Sequence, residues 1–137
     1  MPSCLNVSPN IDLTIYERGT FDVDIVWSTG TVASPTPVDI TGYSGVMKVK
    51  LKYSDVTPIF NLTTQSIAWV VDGPTGLYIT SPSLGKFKLY INNNDTIGIC
   101  PSHKDLVGVY NVFLTSGSGE TVYRQSGAAN LIASCVW

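Results

Sequence analysis

The chain contains few residues that could do chemistry. Asp22 and Asp24 stand two positions apart in the segment F-D-V-D-I-V-W, which places both carboxylates on one face of an extended strand, about 7 Å apart. A separation of this order could suit the paired carboxylates of a glycosidase. Apolar residues occupy the other face of the same strand, so we expect the two acids to be solvated and not catalytic.

Histidine and cysteine offer no better site. His103 is the only histidine and lies in P-S-H-K-D, a polar loop where an exposed imidazole is expected. Cys4, Cys100 and Cys135 lack a C-x-x-C spacing, and a structural zinc ion needs four ligands. Cys4 and Cys135 could pair if the terminal strands are neighbours, although buried free thiols are the simpler expectation. Neither a G-x-S-x-G motif nor a phosphate-binding glycine loop occurs. We therefore predict no enzyme, no catalytic residue, no cofactor and no metal.

Aromatic side chains suggest a possible binding surface. Trp27, Trp69 and Tyr78 could stack against sugar rings, which keeps a carbohydrate-binding sandwich among the alternatives. Trp27 is in phase with an apolar row, however, and belongs more naturally to a core.

Short apolar segments are separated by Pro or Gly at intervals of about ten residues, a spacing typical of antiparallel sandwiches. We predict an all-β, immunoglobulin-like antiparallel β-sandwich of about seven to nine strands, formed by residues 1–137 as one domain. Helix is expected at most as one turn within 92–99, and residues 29–37 as a surface loop. The turn at Gly117–Gly119 indicates a hairpin. The predicted strands are 11–17, 20–28, 43–53, 58–62, 66–71, 76–80, 86–91, 107–115 and 120–132.

The apolar phase of these strands predicts the core. Tyr110, with Gly108 and Asp105 before it, also fits the tyrosine corner of immunoglobulin-like domains, in which the hydroxyl bonds upstream backbone. The predicted core residues are Phe21, Val23, Ile25, Trp27, Met47, Val49, Leu51, Phe87, Leu89, Ile91, Tyr110, Val112 and Leu114.

The composition of the chain indicates which classes of partner it can bind. The net charge of −2 provides no basic surface for nucleic acid, and no apolar run approaches the roughly 20 residues of a membrane span, so neither partner is expected. Charged residues make up only 13% of the chain, against about 25% in typical proteins. Either a polar skin or packing in an assembly would explain this. The uncharged segment 128–137 favours docking on a neighbour, with Ile132, Val136 and Trp137 as candidate interface residues.

Nearly the whole chain resembles a family of small β-sandwich virion proteins of tailed bacteriophages, similar to the amino-terminal domain of phage baseplate upper proteins. The resemblance rests on D-L-T-I-Y-E-R-G-T-F at 12–21, D-I-T-G-Y with V-M-K-V-K at 39–50, G-K-F-K-L-Y-I at 85–91 and the closing hairpin 108–124. The segment 92–106 departs from the family pattern, being longer and carrying the histidine.

The resemblance implies a structural role in a virion, in the tail, baseplate or a tail-fibre adaptor, with other virion proteins as partners and multiple copies in a symmetric assembly. Assembly would take place in the host cytoplasm. A capsid decoration or cement protein is the first alternative, and a non-viral adhesion or carbohydrate-binding sandwich is the second.

Overall fold

Extended chain dominates the computed structural model of the protein, which describes residues 12–31, 33–100 and 104–133. Apart from strands, these residues include two short 3-10 turns, at Pro82–Leu84 and Asn93–Asp95. The all-β class predicted from the sequence is therefore confirmed. The ten strands of the described residues are β1 (Leu13–Tyr16), β2 (Phe21–Val26), β3 (Ser28–Gly30), β4 (Pro35–Pro37), β5 (Ser44–Lys50), β6 (Phe60–Thr63), β7 (Gly76–Ser81), β8 (Lys86–Ile91), β9 (Leu106–Thr115) and β10 (Thr121–Ile132).

The strands form two main sheets and one small hairpin. The larger sheet has the order β1-β10-β9-β5-β6, the smaller has the order β2-β8-β7, and β3 pairs with β4. Neighbouring strands are antiparallel except β1 and β10, which are parallel. Packing β2-β8-β7 against a sheet centred on β9 matches the two-layer arrangement of immunoglobulin-like sandwiches.

Alternate residues of the two sheets meet in one apolar core. Cross-strand neighbours such as Met47 and Val112 fix the register of the larger sheet. Val23 and Ile25 face the core but are only half-buried, because β2 is an edge strand. The other predicted core residues that are buried are Phe21, Trp27, Met47, Val49, Phe87, Leu89, Ile91, Tyr110, Val112 and Leu114.

Leu51 does not belong to the core, contrary to the sequence prediction. Strand β5 ends at Lys50, and Leu51 is 44% exposed in the turn that follows. The ladder ends where β9 comes unusually close: a Cβ atom added to Gly108 would lie 2.4 Å from the carbonyl oxygen of Lys50. Beyond that contact the alternation of faces no longer applies to the chain.

Two further elements differ from prediction. The expected strand 66–71 is absent, because Trp69 packs against the outer face of the smaller sheet instead of extending beside it. The expected surface loop 29–37 contains most of the β3–β4 hairpin.

Two predicted turns are confirmed. Asn92 caps the 3-10 turn by accepting from the Asn94 backbone N–H, and Gly119, with φ near +91°, closes the β9–β10 hairpin.

Tyr110 anchors a polar network inside the core. The Tyr123 hydroxyl donates to Gln125 Oε1 at 2.6 Å, and Gln125 Nε2 donates to the Tyr110 hydroxyl at 2.9 Å. This network joins Tyr110, in the middle of β9, to two side chains of β10, and the backbone contact expected of a tyrosine corner stays a prediction. Burial raises the pKa of both tyrosines.

Candidate functional site

The two acids predicted to be solvated share a buried lysine. Lys88 on β8 lies between them on the outer face of the smaller sheet, with Nζ 2.5 Å from Asp22 Oδ1 and 3.2 Å from Asp24 Oδ1. Register explains the cluster, because Asp24 pairs directly with Lys88 across the β2–β8 ladder and Asp22 is two residues away on the same face. Lys88 is only 8% exposed, whereas the Asp24 side chain is 69% exposed.

Electrostatics keep this lysine charged. Burial disfavours the ammonium form, but hydrogen bonds and charge attraction from Asp22 and Asp24 outweigh that penalty and hold the pKa of Lys88 above its ordinary value. The acids thus neutralise a buried cation, an arrangement that stabilises structure and differs from a glycosidase pair, in which one carboxyl must carry a proton.

Trp69 covers the lysine from the solvent side. Lys88 Nζ is 4.3 Å from the centre of the Trp69 ring, close enough for a cation–π contact. The ring also meets Tyr90 edge to face, with centroids 5.7 Å apart. The indole Nε1 of Trp69 is buried and has no hydrogen-bond partner among the described residues, which typically costs about 1–3 kcal/mol.

The segment that carries Trp69 is tied to the sheet by polar contacts. The Asp72 backbone N–H donates to the Tyr90 hydroxyl at 3.1 Å, and Asn92 Nδ2 donates to the Gly73 carbonyl at 2.9 Å. The Tyr78 hydroxyl donates to the Pro74 carbonyl. Asp72 adopts a positive φ of 62°, an uncommon conformation for a residue with a side chain. These contacts hold residues 72–74 against β7 and β8.

A cleft of about 260 Å³ lies between residues 67–69 and strand β7. Its lining residues are Ile67, Ala68, Trp69, Tyr78, Ile79 and Thr80, which carry no formal charge. The three aromatic residues predicted to be able to form a sugar platform do not lie together. Trp27 packs against Tyr123 in the core at a centroid distance of 5.2 Å, while Trp69 and Tyr78 share the cleft.

The edge of β7 is hydrogen-bonded at Leu77, and this pairing stops at the cleft. Thr64 forms a parallel bridge with Leu77, and the Gln65 backbone N–H donates to the Leu77 carbonyl at 2.9 Å. The chain then leaves β7, and Ile67 and Ala68 line the far side of the cleft. Both backbone groups of a strand residue point to the same side, and alternate residues point to alternate sides. The N–H and carbonyl of Ile79 are therefore directed toward the same edge as those of Leu77.

The other candidate residues do not build a reactive site. Cys100 is a buried free thiol whose pKa is raised by burial, and its backbone N–H donates to Glu17 Oε2 at 3.2 Å. Within the described ranges, no group of three or more His, Cys, Asp or Glu residues could hold a metal ion. No helix in the described part of the chain is long and apolar enough to cross a membrane. His103, Cys4 and Cys135 lie outside the described residues.

One group of exposed apolar residues occupies an end of the sandwich, and we refer to it as the end group. Leu51, Tyr53 and Val56 lie between β5 and β6, and Val107 stands at the start of β9. The turn between them is fixed, since the Lys52 N–H donates to Asp55 Oδ2 at 3.2 Å and the Asp55 N–H donates to the Lys52 carbonyl at 3.0 Å. Val56 is 93% exposed.

Among the candidate interface residues, Ile132 ends β10 and is half-buried. It lies at the same end of the sandwich as the end group, because Asn130 pairs with Val107 two residues earlier. Val136 and Trp137 lie outside the described residues.

Sequence reasoning missed Lys88 and the position of Trp69. The lysine could have been found from its alternation in K-F-K-L-Y-I, which places it on the same strand phase as Lys86, opposite a strand bearing two acids. No comparable pattern predicts that Trp69 leaves the extended conformation. No protein-family model matches this chain, and a search of curated proteins found no significant match.

Proposed function

We propose that this chain is a structural component of a tailed-phage virion, an adaptor module of the tail, baseplate or tail-fibre region that acts through protein–protein packing. The observation that carries the proposal is the surface. Eleven large apolar side chains are exposed among the described residues, while charged residues are scarce in the whole chain. Interface cores are depleted of charge in the same way.

The fixed end group supports this role. Two hydrogen bonds between Lys52 and Asp55 close the turn that carries Tyr53. Val56, which follows this turn, and Val107, on β9, are also exposed. Exposed apolar side chains on or beside a hydrogen-bonded turn suit a packing contact, since an ordered turn loses little conformational entropy on docking. The local sequences resemble those of phage baseplate proteins, and this resemblance leads us to place the contact in a phage tail or baseplate.

The outer face of the smaller sheet supports packing over catalysis. Its acids and its lysine bind one another, and the lysine is covered by an indole ring. A general acid or base must instead be free to exchange its proton near pH 7.

Imaging of particles tests the proposal. We expect an antibody against the chain, or a gold label on a tagged copy, to mark purified virions at the tail or baseplate. Mass spectrometry of the same particles should find the chain. Purified particles that lack it would contradict the proposal, and label spread over the capsid would favour the decoration or cement role.

Carbohydrate binding is the second candidate function, because Trp69 and Tyr78 line one cleft. A glycan array would show saturable binding to a defined sugar, which Trp69→Ala should abolish. Binding that survives this substitution would remove the cleft as a sugar site.

A further inference from the structure

The edge of β7 beside the cleft is an incomplete ladder. Pairing starts at the Thr64–Leu77 bridge and does not continue, although Ile79 presents its N–H and carbonyl to the same side. Unpaired strand edges of this kind template the addition of another strand. The cleft of about 260 Å³ is smaller than the roughly 300–1,000 Å³ of pockets for drug-sized ligands, but its open, uncharged lining can accept the backbone and an apolar side chain of an extended peptide.

The other edges are less suited to this. The β2 edge carries Asp22 and Asp24, and charges on an edge strand discourage pairing. Strands β1 and β6 are only four residues long. The β7 edge alone among the four combines a sheet edge with an apolar cleft in the described residues.

We propose that this edge binds residues 134–137 of a second copy of the chain as an added strand, with Val136 or Trp137 in the cleft. The inference rests on the proposed structural role and names the contact that would build an assembly. The segment S-C-V-W has no charged side chain and is apolar at positions 136 and 137, which matches the lining. Backbone pairing would supply affinity and the cleft would select the side chain, as in other cases of β-augmentation.

Geometry requires the two partners to be different molecules. Residue 134 follows the end of β10, which pairs with the start of β9, whereas β6 reaches the bridge to β7 near the opposite end of β9. The ten residues of β9 span about 33 Å at strand rise, and four residues reach about 13 Å. Residues 134–137 therefore cannot reach the cleft of their own chain.

A contact between one end of a copy and the other end of the next is heterologous. Such contacts close into rings or grow into filaments, which suits a component present in many copies. The end group lies at the end from which residues 134–137 depart, so it would face the next copy as well.

Two variants with complementary defects test the proposal. Deleting residues 134–137 removes the added strand and leaves the cleft intact. Ala68→Trp fills the cleft from an exposed position and leaves the segment intact. Val71→Trp is the matched control, because Val71 is exposed on the same segment but does not line the cleft. Each variant is first checked for an unchanged unfolding midpoint.

Sedimentation velocity over a range of concentrations is the measurement. The full chain and Val71→Trp should associate into species larger than dimers, and the deletion and Ala68→Trp should each associate at least about tenfold more weakly. Mixing the two defective variants should give a dimer and nothing larger, because one intact cleft meets one intact segment. An Ile79→Pro substitution in the deletion variant should abolish that dimer by removing the edge N–H.

Three results would overturn the inference: a full chain that stays monomeric, a deletion variant that associates normally, or a mixture that yields no dimer. The proposed function is judged separately. A dimer in the mixture with the chain absent from virions would leave this contact standing without the virion role. If the chain is found in virions but the two variants do not form a dimer, the virion role would stand without this contact.

Discussion

Asp22, Asp24 and Lys88 show how a residue's neighbour decides its role. The period-two alternation of β2 correctly placed the two acids on the outward face of the strand. That face is not exposed only to solvent. Lys88 lies there beneath Trp69, so the acids meet a buried charge whose desolvation they offset. The more enclosed partner, Asp22, makes the shorter contact, at 2.5 Å. Replacing it should therefore matter more than replacing Asp24.

We predict that Asp22→Asn lowers the free energy of unfolding by about 1–2 kcal/mol, the order of a hydrogen bond to a charged group. Asp24→Asn is the matched control and should cost about 0.5 kcal/mol or less, as expected of an exposed ion pair. Urea unfolding of both variants at neutral pH measures the difference. Equal losses would show that Lys88 does not distinguish its two partners.

Trp27 provides a test of the core. Its ring is buried against Tyr123 and Tyr43, so Trp27→Ala should lower the free energy of unfolding by about 3–5 kcal/mol. Val56→Ala removes an apolar side chain that is 93% exposed and should change stability by less than about 0.5 kcal/mol. A loss below about 1 kcal/mol for Trp27→Ala would contradict the enclosed position.

The Tyr110–Gln125–Tyr123 network predicts a loss of stability in alkali. Burial raises the pKa of Tyr123 above its usual value, so the folded state keeps a proton that the unfolded state releases. This contribution is complete below the unfolded value of about 10 and decreases as the pH rises beyond it. Tyr123→Phe should make the fall of stability above about pH 10 shallower. The raised pKa of Lys88 acts in the same direction but is common to both proteins, so it cancels in the comparison. Identical slopes would place the Tyr123 hydroxyl in solvent.

At the scale of strands, β5 and β9 are limited by one close approach. Gly108→Ala would bring a Cβ atom within 2.4 Å of the Lys50 carbonyl oxygen, which is backbone and cannot rotate away. We expect a loss of about 1–3 kcal/mol in the free energy of unfolding, typical of overpacking. Gly117→Ala is the control, since its added Cβ would meet only the Gly42 carbonyl oxygen at 3.6 Å. Thermal or urea unfolding that finds both variants equal would contradict the close approach.

The elements also show how far sequence reasoning reaches. Strands β2, β8 and β9 were predictable because apolar residues alternate along each of them and this apolar row packs in or against the core. The segment 66–71 has the residues of a strand, but Trp69 packs against Tyr90 and Lys88, which are distant in sequence. The prediction that Leu51 lies in the core was wrong for a similar reason, since the approach of Gly108 to Lys50 is a tertiary contact. The two acids were predictable as a pair, whereas their lysine and the cleft depend on register and chain path.

At the scale of the whole molecule, the two ends of the sandwich differ. One end has the fixed apolar end group and the departure of residues 134–137. The other has the ends of β2 and β7 and the start of β8. A molecule with unlike ends can stack in one direction, which is what the proposed role in a polar assembly would require.

The end group provides the last prediction. A double substitution, Val56→Lys with Val107→Lys, puts two charges on exposed apolar positions and should leave the free energy of unfolding within about 0.5–1 kcal/mol of the original. Under the proposed virion role, incorporation into particles should nevertheless fall sharply, because an ammonium group in a packing contact must lose its water. Val26→Lys is the control, an exposed valine where β2 ends, at the opposite end of the sandwich. Competition between tagged and untagged copies during particle assembly, read by mass spectrometry of purified virions, gives the ratio. Equal incorporation of the double variant and the control would mean that the end group faces solvent in the assembled particle.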